Sequence, residues 1–145
     1  MKIKSIKSFL QLRVLVKFNW EIDLNIDMNR LNKSIKEVVE SSNGGVESFV
    51  IYNKTDGLVI TGENINYEKS AIYHSIFLDT QATTQNFKFS KEVEGYYILL
   101  KNNKITYSSS LFEDFLFTVV LDLNKMQLGY FKGVLLKKFF EENNS

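Results

Sequence analysis

The chain contains no cysteine and no proline, and it has a single histidine, His74. Without cysteine there is no disulfide framework, no thiolate nucleophile and no cysteine-based zinc site. One histidine rules out a histidine-rich metal cluster. Charge of either sign is also missing in excess: the formal net charge is +1, which gives no global attraction to nucleic acid or to an anionic membrane. No stretch approaches the roughly 18 uninterrupted apolar residues that a membrane span needs. Lys2, Lys4 and Lys7 precede Phe9-Leu10 as in a signal peptide, but Gln11, Arg13 and Lys17 interrupt any apolar core and no small-residue cleavage site follows. A cytoplasmic location is the expectation.

Catalytic signatures are absent as well. Gly44-Gly45 lacks the Lys-Ser/Thr of a phosphate loop and leads into a strand rather than a helix. Ser108-Ser109-Ser110 has no local base. The acidic pairs Glu92/Glu94 and Glu113/Asp114 fall in expected loops and form no identifiable metal site. His74 lies on an apolar helical stripe, where a structural histidine is the better reading. Tyr96, Tyr97 and Tyr107 offer stacking surface, but no basic patch accompanies them, so they read as sheet packing. No enzyme, cofactor or metal is expected.

What is present is an ordinary globular composition. Of 145 residues, 44% are hydrophobic and 24% charged, enough for one domain with a real core. The segment GGVESFVIYNKTDGLVITG, residues 44–62, reads as two strands joined by a polar turn. Val46–Tyr52 is β-branched and aromatic, Asn53–Gly57 has turn chemistry, and Leu58–Ile60 resumes the apolar run. Asp56-Gly57 is a strong hairpin signal, because glycine takes a positive φ without steric cost. Phe49, Val50, Ile51 and Tyr52 are consecutive and apolar, so helices are expected above and below this strand.

Ahead of it, every even position from Leu10 to Ile26 is apolar: Leu10, Leu12, Val14, Val16, Phe18, Trp20, Ile22, Leu24 and Ile26. The odd positions are polar except Leu15. Such period-two alternation is a β pattern with one buried face. Fully extended it would reach roughly 55 Å, so it must bend, fold back or cross to another subunit. With no glycine to mark a turn, one curved strand is preferred over a hairpin. Met28 offers an alternative start, against which the alternation argues.

A first helix is expected from about Asp27 or Asn29 to Asn43-Gly44-Gly45, with Met28, Leu31, Ile35, Val38, Val39 and Ser42 on one face. A second, about Tyr67–Ala82, is apolar on more than one side. Tyr67, Ala71, His74, Leu78 and Ala82 form one stripe, Ile72 and Ile76 lie on the far side, and Tyr73 and Phe77 flank them. A helix covered nearly all round is usually buried twice, here by its own sheet and by a partner subunit. After a loop over Thr83–Lys91, three strands are expected at Tyr96–Lys101, Lys104–Ser109 and Phe115–Leu121. Asn102-Asn103 is read as a two-residue hairpin turn between the first two. FLFTVVL is apolar throughout and should be central, beside Val46–Tyr52. A last helix, about Met126–Glu142, should bury Leu128, Phe131, Leu135 and Phe139.

From Met28 the order is helix, hairpin, helix, three strands, helix. With GGVESFVIYNKTDGLVITG, YEKSAIYHSIFL and FLFTVVLDLNKMQLGYFKGVLLKKFFEE, it resembles the roadblock/dynein light chain family over about residues 28–143. The resemblance implies an α+β, three-layer α/β/α fold of profilin-like type, with a five-stranded antiparallel sheet in the order 2-1-5-4-3. It divides the chain into an N-terminal β extension, 1–27, and a roadblock-like domain, 28–145. Members of that family typically dimerise through the second helix and third strand and serve as scaffolds or regulators of small GTPases. The resemblance therefore implies Ala71, Ile72, Ser75, Ile76, Asp79 and Tyr97 as interface residues.

The function expected is a non-enzymatic dimeric scaffold, a homodimer or paralogue heterodimer, that binds a small Ras-like GTPase. If it donated an arginine to that GTPase, the candidates are Arg13 and Arg30. A platform that orders the GTPase's own switch elements is preferred by family analogy. The alternative is a PAS- or longin-like ligand-sensing domain, which a cavity of several hundred cubic ångströms between sheet and helix would favour.

Overall fold

The computed structural model describes residues 27–86 and 93–144. The first helix, α1 (Met28–Ser41), begins where the Asp27 carboxylate accepts the Arg30 N–H at 3.0 Å. Ser42 closes it, its hydroxyl accepting the Val46 N–H at 2.9 Å and so tying the helix end to β1 (Val46–Asn53). β1 turns through Asn53–Gly57 into β2 (Val59–Glu63). In that turn Asn53 Oδ1 accepts from the Thr55 and Asp56 amides at 2.8 and 3.2 Å, and Asp56 Oδ1 accepts from Leu58 at 2.9 Å. Gly57 has φ +75°, and a Cβ placed there would come within 2.6 Å of the His74 ring. Glycine is required both for the turn and for the helix that passes over it.

Next come α2 (Tyr67–Asn86), β3 (Gly95–Leu100), β4 (Lys104–Leu111) and β5 (Phe115–Asp122). The last helix, α3, runs over residues 128–143. Its middle, Phe131–Leu136, is π-helical between the α-helical segments Leu128–Tyr130 and Lys137–Asn143.

The five strands form one antiparallel sheet in the order β2-β1-β5-β4-β3, as the family resemblance implies. β5 lies beside β1, with Val50 opposite Thr118 and Ile51 opposite Phe117. Alternation along these strands divides their side chains between two faces. Phe49, Ile51, Phe117, Val119 and Leu121 meet Leu31, Ile35 and Val38 of α1 and Phe131, Leu135 and Phe139 of α3. The Phe49 ring lies 5.6 Å from Phe117 and 5.1 Å from Phe139. Each of these buried side chains contributes roughly 1.5–3 kcal/mol. Val50, Tyr52 and Leu116 face the other way, toward Phe77 of α2.

Several boundaries differ from expectation for physical reasons. α2 continues past Ala82 to Asn86, because Thr83–Asn86 holds no glycine or proline to stop it. Leu136 is buried although α-helical spacing turns it away: the wider π turn brings Leu135 and Leu136 inward together. The β3–β4 connection is three residues rather than two, since Leu100 pairs with Lys104. Asn102 and Asn103 do take the positive φ of a tight turn, at 64° and 59°. The alternating stretch Leu10–Ile26, with Arg13, lies outside the described residues, as does Glu92. Among the described residues no helix is long and apolar enough to cross a membrane.

Candidate functional site

α2 begins at Asn66, whose side chain accepts the Lys69 N–H at 3.0 Å. Its inward residues are Ser70, His74 and Phe77, with Tyr73 half-buried between them. Beneath them the sheet offers hydroxyls as well as hydrocarbon. Tyr52 Oη and Thr118 Oγ1 share a hydrogen bond of 2.8 Å, Ser108 Oγ and Thr118 Oγ1 one of 2.6 Å, and Tyr96 Oη donates to the Tyr73 carbonyl at 3.0 Å. Burial pushes the Tyr52, Tyr73 and Tyr96 phenols above the ordinary value of 10.0. His74 Nε2 bonds the Lys54 carbonyl at 2.7 Å, and its ring meets Tyr52 edge-on at 6.1 Å. This histidine fastens α2 to the β1–β2 turn.

The opposite side of α2 is exposed and mixed, with Glu68, Lys69, Ser75 and Asp79 set among apolar residues. Tyr67 is 67% exposed, Ile72 57% and Leu78 46%, and Ala71, Ser75, Asp79 and Ala82 are exposed with them. The stripe expected from spacing is thus divided: His74 turns in to the sheet while Tyr67, Ala71, Leu78 and Ala82 face outward. His74 stands at the edge of that stripe, and its ring nitrogen is drawn to a carbonyl that only the inner side offers.

Beyond α2, β3 forms one end of the sheet, and it carries Leu99 at 83% exposure with Tyr97 and Leu100 half-exposed. Of the interface candidates, Ala71, Ile72, Ser75 and Asp79 share the outward side of α2, and Ile76 is half-buried at its flank. Tyr97 is not brought together with them. It faces the α1/α3 side, stacked on Tyr107 at 4.5 Å, while its neighbour Tyr96 faces α2. Lys132 of α3 lies 5.3 and 5.4 Å from the two ring centres and donates to Tyr97 Oη at 2.6 Å. Leu99 and Leu100 are not among the interface candidates, although the expected strand order already puts β3 at the end of the sheet.

A further feature is an open cleft of about 740 Å³ at the C-terminal end of α2, lined by Lys54, Phe77, Gln81, Val93, Glu94, Ser110 and Glu113. Of these only Phe77 and Val93 are apolar. Among the described residues no cluster of acidic or histidine side chains could hold a metal.

No family model matches the sequence, and no curated protein matches it. Solved structures do match in shape. MglB of Myxococcus xanthus superposes with a TM-score of 0.65 at 13% identity, over 80% of this chain and 86% of that one. A Roadblock/LC7 domain from Streptomyces avermitilis gives 0.59 at 16% identity, over 74% and 92%. An MglB with tetrameric arrangement gives 0.57 at 15% identity, over 75% and 84%. The chain has the fold of Roadblock/LC7 domains.

Proposed function

We propose that this protein is a non-enzymatic scaffold that pairs with a second copy, or a paralogue, through the outward side of α2 and the edge of β3, and that the paired platform binds a small Ras-like GTPase. The observation that carries the reading is the exposed flank Tyr67, Ala71, Leu78 and Ala82, with Ile72 exposed beyond Ser75 and Asp79, on a helix whose inner side is already docked. An apolar face of this kind on a soluble chain marks an interaction site. β3 is an end strand with no neighbour on its outer side among the described residues, and edge-to-edge pairing there would satisfy its backbone beside the exposed Leu99 and Leu100. The tetrameric arrangement named for a solved MglB agrees with self-association in this fold. The GTPase comes from the family resemblance alone.

The ligand-sensing alternative has a cleft of sufficient size, about 740 Å³, but not the lining. Such sites are mostly apolar, whereas only Phe77 and Val93 are apolar here. Sedimentation equilibrium tests the pairing: a dimer is expected at tens of micromolar, and a strict monomer there overturns it. Capture of purified small GTPases in each nucleotide state tests the partner, and absence of binding to any of them removes that part.

A further inference from the structure

The sheet has two ends, and the proposed pairing uses only β3. At the other end β2 is a five-residue strand with no neighbour on its outer side among the described residues. The chain also holds, just before Asp27, the long alternating stretch Leu10–Ile26. We propose that Phe18–Leu24 adds a sixth strand to the free edge of β2 within the same chain, antiparallel to β2 and parallel to β1.

Three observations lead there. First, the stretch ends in the right place. α1 packs over β1 and β2, and its Asn32 side chain bonds Thr61 of β2. The chain that enters α1 at Asp27 therefore emerges beside β2. Because α1 ends at the start of β1, a strand arriving at the head of α1 must point the way β1 points.

Second, handedness selects this edge. β2 and β3 are parallel by the pairing and are joined through α2, and such crossovers are right-handed in about 98% of cases. α1 lies on the opposite face of the sheet. With the hand of the α2 crossover so fixed, a strand at the β2 edge followed by α1 and β1 makes a second right-handed crossover. The same strand placed at the β3 edge would make a left-handed one.

Third, the flank of α1 that overhangs β2 has apolar groups only partly covered. Met28 and Val39 lie at helical spacing with Asn32 and are half-buried, as is Ile60 of β2. The even row Phe18, Trp20, Ile22 and Leu24 fits that surface, and the odd row Asn19, Glu21 and Asp23 is left to solvent.

The test uses the full chain. Trp20 is the only tryptophan, so its fluorescence reports the stretch directly. Acrylamide quenching several-fold weaker than for free tryptophan, unchanged on dilution, is expected. Quenching like that of the free amino acid overturns the proposal, as does protection that vanishes on dilution. Because the chain has no cysteine, Glu63→Cys carries a benzophenone probe at one position. In a mixture of ¹⁴N- and ¹⁵N-labelled protein, cross-links to residues 18–24 of the same isotope are expected. Cross-links between isotopes, cross-links to other segments alone, or none, overturn it.

Discussion

Against one face of the sheet, α1 and α3 place Leu31, Ile35, Val38, Phe131, Leu135 and Phe139; against the other, α2 places Ser70, His74 and Phe77. The first face is closed by hydrocarbon and stacked rings. The second is closed by Phe77 with the partly buried Tyr73 and Ile65, a histidine bonded to a carbonyl, and a row of hydroxyls bonded to one another. Apolar burial is the dominant stabilising term, while each neutral hydrogen bond adds only about 1 kcal/mol net. The helix with the thinner hold on its own sheet is also the one that turns Ile72 and Leu78 outward. A second copy packed there would supply the contact that the inner side lacks.

The contrast can be broken most directly at its strong side. Phe117→Ala, at 0% exposure, should cost about 3–5 kcal/mol in urea denaturation. Phe77→Ala should cost about 3 kcal/mol, because α2 can settle into the gap, and should speed amide exchange in α2 more than in α1 or α3. The reverse pattern would mean that α2 is the better anchored helix. Thr118→Val strands the buried hydroxyls of Tyr52 and Ser108, for an expected loss of about 1–3 kcal/mol by the same measurement.

Gly57→Ala should lose about 1–2 kcal/mol, from a positive φ and from contact with His74 beneath the helix. Alkaline pH sharpens the comparison without a mutation. Three phenols on the α2 side, Tyr52, Tyr73 and Tyr96, are raised above 10.0 by burial, against Tyr107 on the other face. The unfolded chain releases these protons first. Stability is therefore intact below pH 10 and declines as pH rises through it toward the folded values. Loss of α2 exchange protection ahead of α1 and α3 is the expected course. Ile72→Asp should change monomer stability by no more than about 0.5 kcal/mol. Under the proposed pairing its effect falls on self-association, and a dimer that survives it in sedimentation would remove α2 from the interface.

Much of this was legible in the residues, and the exceptions have causes. Runs such as Phe49–Tyr52 and Phe115–Leu121 announce strands covered on both faces, and Asp56-Gly57 announces the turn between β1 and β2. Asp27 is visible as a cap because a carboxylate just ahead of an apolar-periodic run has one common use. What spacing could not supply was direction. Tyr97 and Tyr96 are adjacent, and which of them faces α2 depends on pairing with Ser108 and Tyr107 across the sheet. His74 lies within a stripe whose other members face out, and only the Lys54 carbonyl draws it in. Leu136 was hidden by a change of helical pitch that no residue type signals.

That change of pitch in α3 has a consequence for chain length. The π turn over Phe131–Leu136 accommodates one residue more than an α-helix covering the same rise. Removing a single residue there would restore ordinary pitch and leave both Phe139 and Leu128 aimed as before. Elsewhere in a helix the same deletion would swing everything after it by roughly 100°. Among proteins of this shape, a one-residue gap at this point would be a conservative difference.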